Sequence, residues 1–138
     1  MRTNRGSLVV LLFYSLVIFV FVSPDFAQGN NSGFVLPPDP GKAGKVTLLG
    51  IDTDGDGVRD DIQRYIYFTY PDDKKLRLGL TFYAKEFQGV LKDANDREAA
   101  YEHAKNMVRH GDCLWYLKDE ESIDICNALR AKILNTRE

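Results

Sequence analysis

The stretch "GIDTDGDGVRDDIQRYI", residues 50–66, limits the fold more than any other part of the chain. It sets Asp52, Asp54, Asp56, Asp60 and Asp61 close together, spaced by glycine, directly before an apolar run. Carboxylates at this density repel one another unless something neutralises them. Asp-Gly runs also make turns, and a single carboxylate can cap a helix. Capping needs one acid, however, and this loop carries five.

Counting from Asp52 as position one, acids fall at one, three, five and nine: Asp52, Asp54, Asp56 and Asp60. Gly57 is at six, Val58 at seven and Gln63 at twelve. This is the EF-hand calcium-loop spacing, with the glycine where the chain turns sharply. Calcium takes six to eight oxygens at about 2.4 Å, and alternate side chains of a tight loop can converge on one centre. The expected ligands are Asp52, Asp54, Asp56, the Val58 carbonyl, Asp60 and Gln63. An amide at position twelve supplies one oxygen and no charge, so the spacing predicts weak binding. Gly41, Gly44 and Gly50 oppose a helix entering the loop.

The segment "DTDGDGVRDDIQ" resembles thrombospondin type-3 repeats, and the loop with its exiting helix resembles dockerin modules. The arm "LPPDPG" followed by "DGVRDDIQRYI" is similar to segments of uncharacterised exported bacterial proteins. These resemblances imply calcium binding at the loop. They imply neither a fold nor an enzymatic activity for the rest of the chain.

Helical patterns follow the loop. Ile62, Tyr65, Ile66 and Thr69 share one face, and Pro71 disfavours helix at Tyr70. Asp72 and Asp73 suit the start of a second helix, with a stripe of Leu76, Leu80, Tyr83, Phe87 and Val90. Asn95 and Glu98 have capping-box spacing before a third stripe of Ala100, Ala104, Met107 and Leu114, which Gly111 is placed to end or bend. Ser122 can cap a fourth helix carrying Ile123, Cys126, Leu129 and Ile133. The expected fold is therefore all-α: a small bundle of about four helices behind an extended arm and an acidic loop. "VTLLGI", residues 46–51, reads as a brief strand or a buried lead-in.

The chain's start reads as a targeting signal. Arg2 and Arg5 precede an uncharged apolar run over residues 7–22, the pattern of a secretory signal. Small residues Ala27 and Gly29 place the cleavage after Gly29. The expected organisation is a signal over residues 1–29, an arm over 30–50 and a helical domain over 51–138, its calcium loop at 52–63. The expected address is periplasmic or secreted; retention of the run would instead anchor the protein in the inner membrane. Export favours oxidation of the two cysteines, Cys113 and Cys126, to a disulfide.

Other chemistry is sparse. The mature chain would lose two basic residues and one acidic residue, leaving 16 basic against 19 acidic, a net charge of −3. That excludes the basic footprint of a nucleic-acid binder. His103 and His110 are too far apart on a helix to share a zinc ion, and no P-loop, dinucleotide fingerprint or G-x-S-x-G motif is present. The reading is a non-enzymatic, exported calcium-binding protein with room for a protein partner, for which Tyr67, Phe68 and Phe82 lie off the main stripes. The alternatives are the membrane-anchored interaction protein and an enzyme or inhibitor with its site on helix residues.

Overall fold

A computed structural model describes residues 35–135. The expected signal over residues 1–29 lies outside the described residues. Among the described residues no helix is long and apolar enough to cross a membrane. The fold is all-α. A 3-10 turn at Gly41–Lys45 interrupts the arm, followed by α1 (Asp60–Thr69), α2 (Lys74–Lys92), α3 (Arg97–Lys118) and α4 (Glu121–Leu134).

The residues just before the loop are neither strand nor buried. Val46, Leu48 and Leu49 are exposed bends, which corrects the expectation for "VTLLGI". α1 starts where Asp60 and Asp61 meet the positive end of the helix dipole. It ends before Pro71, which disfavours helical backbone at Tyr70. α2 is capped by Asp73, which accepts from Leu76 N–H at 2.9 Å. The cap of α3 is Asp96 rather than Asn95, its carboxylate accepting from Glu98 and Ala99 N–H. Gly111 does not end α3, which runs on to Lys118. The chain turns instead at Asp119, at φ 44°. Ser122 is not the cap of α4. It sits inside the first turn and donates its hydroxyl to Asp119 O at 2.6 Å.

α2 and α3 form the most extensive helix pair and run antiparallel. Asp73 at the start of α2 pairs with Lys118 at the end of α3 at 3.0 Å, while Glu86 and Asp93, late in α2 and just past it, meet His103 early in α3. Two glycines let the axes approach. A Cβ on Gly79 would lie 2.8 Å from Leu114 Cδ2, and one on Gly89 would overlap the His103 ring. Leu76, Leu80, Tyr83 and Ala84 of α2 meet Leu114 of α3, Ile62 and Ile66 of α1, and Ile125, Leu129 and Ile133 of α4 in one core. Burial of such a side chain contributes roughly 1.5–3 kcal/mol. The α4 stripe is shifted from the expected one: Ile125 is buried and Ile123 exposed.

The expected disulfide is not formed. Cys113 is an exposed thiol on the outer side of α3, beside Leu78, Tyr116 and Leu117. Cys126 belongs to the core, where burial pushes its thiol pKa up. It is Leu114, the next residue along α3, that turns inward, so the two cysteines serve different surfaces.

His103 joins α2 to α3 by donating Nδ1–H to Glu86 Oε2 at 2.7 Å and approaching Asp93 Oδ2 with Nε2 at 3.2 Å. Two carboxylates on two ring nitrogens call for the imidazolium. The hydrogen bond to Glu86, reinforced by Asp93, raises its pKa above the ordinary value. The clasp's contribution is therefore complete below the unfolded histidine value of about 6.5 and is lost as pH rises through the higher folded value. The melting-temperature gap between wild type and His103→Gln should be wider near about pH 6 than near about pH 9. An equal gap at both would rule out the charged clasp.

Candidate metal centre

The loop is built by backbone amides turned inward onto aspartates. Asp52 accepts from Gly55 N–H at 2.8 Å and Gly57 N–H at 2.9 Å. Asp54 accepts from Asp56 N–H at 3.3 Å, and Asp56 from Val58 N–H at 2.8 Å. Gly55 and Gly57 take left-handed backbone, φ 70° and 90°, where other residues would be strained. Asp60 N–H donates to Ile51 O at 2.8 Å and Thr53 N–H to Asp60 Oδ1 at 2.9 Å, closing the loop onto the start of α1.

These bonds bring Asp52, Asp54 and Asp60 together: one oxygen from each lies within 4.8 Å of the others, a group able to hold a metal ion. Asp52 and Asp54 are exposed, whereas Asp60 is fully buried. Asp60 Oδ2 has no hydrogen-bond partner. A buried carboxylate oxygen left unpaired costs about 1–3 kcal/mol or more, and a cation among the three aspartates would remove that cost.

Asp56 does not join the three. One of its oxygens takes Val58 N–H and the other the Gln63 side-chain amide. Burial raises its carboxyl pKa, against the Val58 hydrogen bond, and the nearby Asp54 charge adds to the rise. Gln63, 4% exposed, donates from Nε2 to both Asp54 and Asp56, while its Oε1 is buried without a partner. Val58 buries its side chain in the core and so anchors the loop from below. Of the six expected ligands, three are gathered, Asp56 and Gln63 are paired with each other alongside, and Val58 holds the base.

Two residues important to this geometry belong to no motif in the sequence. Arg59 is 1% exposed and binds Asp61 through Nε and Nη2, while Nη1 reaches the carbonyls of Leu48 and Ile133. Gln88 on α2 accepts Arg59 N–H at 2.8 Å, so the loop's exit is pinned to the helix pair. The spacing of acids carries no trace of either.

The off-stripe aromatics form surface contacts. Tyr67 and Phe68 meet edge to face under Arg77 and Arg64, and Phe82 stacks on His110 with ring centroids 5.3 Å apart. His110 thus belongs to an aromatic contact away from the loop. Fold and site together define a small all-α protein with a metal-capable acidic loop. Set against known protein families, curated proteins and solved structures, the chain matches none of them.

Proposed function

We propose that this is an exported, non-enzymatic calcium-binding protein in which the ion orders the Asp-rich loop and fixes a helical interaction module. The observation that carries the reading is Asp60: a fully buried carboxylate, half unpartnered, facing two further carboxylates. A donor set made only of oxygens suits a hard cation, and the flexible loop suits calcium better than magnesium, which demands a small, near-octahedral shell. Export rests on Arg2, Arg5 and the apolar run that follows.

With an amide at position twelve the site falls in the range of extracellular modules, about 10⁻⁴–10⁻³ M. At free calcium tenfold above that constant, binding adds about 1.4 kcal/mol of stability. Protein recovered from its native compartment should begin at or near Asn30, melt higher in calcium than in chelator, and respond poorly to magnesium. Asp54→Ala should remove most of the calcium-dependent rise while leaving the helices folded. Equal melting in calcium and chelator, with no heat of binding at millimolar calcium, would reduce the loop to a turn. Intact Met1 in a membrane fraction would replace secretion with anchoring.

A further inference from the structure

The outer side of the α2–α3 pair carries an open dish of about 450 Å³, lined by Lys75 and Leu78 of α2 and by Asp112, Cys113, Tyr116 and Leu117 of α3. Its apolar side chains face solvent: Leu78 is 58% exposed and Tyr116 88%. Phe82, also exposed, extends the surface one turn along α2, stacked on His110. Water against a contiguous carbon surface is unfavourable, and an apolar patch rimmed by charge marks an interaction surface. Exposed tyrosine is the kind of side chain that such surfaces use as an anchor.

The rim says what the partner must carry. Lys75 and Asp112 are the charged residues of the dish, and neither side chain has an ion-pair or hydrogen-bond partner among the described residues. The register of the two helices fixes their places. The Asp73–Lys118 pair, the contact of Gly79 with Leu114 and the stacking of Phe82 on His110 set Lys75 level with Tyr116, and Leu78 level with Cys113, next to Asp112. Lys75 and Asp112 therefore stand at opposite corners, with Leu78 and Tyr116 at the other two. A partner of one charge sign would satisfy one corner and be repelled at the other. The partner that fits carries both signs in the mirrored order, and a second copy of the same face has that order by construction, because an isologous interface is self-complementary.

We propose that this face is the contact between two copies of the chain. A twofold axis along the Leu78–Tyr116 diagonal sets Lys75 of each copy against Asp112 of the other, and brings Leu78 and Tyr116 against their own counterparts. The dimer covers Cys113, which lines the same dish. None of these residues belongs to the Asp-rich loop, so the proposal does not rest on calcium.

The test is sedimentation equilibrium of protein recovered from its native compartment, kept reduced and in chelator, over a wide range of concentration. The mass should rise to twice that of one chain and stop there. Cys113 gives a second readout, because Cys126 is buried: the rate constant for alkylation of Cys113 should fall as the dimer forms. The substitutions fall on exposed side chains, so they leave the core intact. Tyr116→Glu should weaken the dimer about a hundredfold or more, since each interface holds the change twice. Lys75→Glu and Asp112→Lys should each weaken it about tenfold or more, by placing like charges together at both corners. An equal mixture of the Lys75→Glu and Asp112→Lys proteins should dimerise again, because both corners then pair opposite charges. A chain that stays monomeric up to millimolar concentration, with Cys113 equally reactive throughout, leaves the dish to a different partner and overturns the proposal. An assembly that grows beyond two chains, a dimer indifferent to these substitutions, or charge reversals that the mixture does not rescue, overturns it as well.

Discussion

Gln63→Glu should drive the metal-free and calcium-loaded forms of the protein in opposite directions. In the metal-free loop the Gln63 amide nitrogen donates to Asp54 Oδ2 at 3.3 Å and to Asp56 Oδ2. It stands in part for a cation, offering positive hydrogen atoms to two carboxylates that would otherwise face each other. A glutamate there removes the donor and adds a buried negative charge. In chelator the variant should be less stable by about 1–3 kcal/mol, the usual cost of stranding buried polar groups. In calcium the same change supplies the charge and the second oxygen that position twelve of such a loop ordinarily provides, and affinity should rise by about tenfold or more. The calcium-dependent rise in melting temperature therefore grows from both ends. Gln63→Ala separates the two effects, since it loses the donor without adding an acid. Calorimetry gives the affinities and denaturant melts in chelator give the apo stabilities. A Gln63→Glu protein that matches wild type in chelator would show that the amide does not neutralise the loop.

What could be read in the sequence was local. The acid and glycine spacing from Asp52 to Asp60 follows from the geometry of one tight loop, and it located the carboxylates that converge. The stripes of α1 and α2 follow from a helical repeat, and the cap at Asp73 from the needs of a single turn. The errors arise where neighbours distant in sequence decide. Gly111 looks like a helix end, but α3 continues because its second and last turns are held along α2, by His103 with Glu86 and by Lys118 with Asp73. On α4, Ile123 and Ile125 are equally apolar, and only the approach of the other helices selects Ile125 for the core. The expected cysteine pairing rests on a compartment, not on a geometry, and α3 presents Leu114 where the bond would require Cys113. Asp56 fits the ligand spacing, but its hydrogen bonds with Val58 and Gln63 depend on how the loop meets α1.

Arg59 is the clearest case, and its removal should be the most damaging single change in the domain. Its guanidinium is fully buried against three parts of the fold. Nε and Nη2 form a fork on Asp61 at 2.9 and 2.7 Å, and Nη1 donates to Leu48 O at 3.2 Å and to Ile133 O at 2.9 Å. The arm, the start of α1 and the end of α4 are thus held by one side chain. Gly50 makes room for it: the residue sits at φ 58°, and a Cβ there would lie 2.6 Å from Arg59 Nε. Arg59→Met keeps much of the volume but leaves the Asp61 carboxylate and two carbonyls without their donor. Breaking a buried pair from one side costs about 3–5 kcal/mol. A lysine cannot restore the planar fork, so Arg59→Lys should recover little. Arg59→Met combined with Asp61→Leu should recover part of the loss, since an apolar pair leaves no buried charge behind. Urea unfolding would read the stabilities, and amide exchange in the last turn of α4 would show where the tie is broken. A loss below about 1 kcal/mol, the range of an exposed ion pair, would mean that the arm and α4 are held by their apolar contacts and that the Arg59 fork is incidental to them.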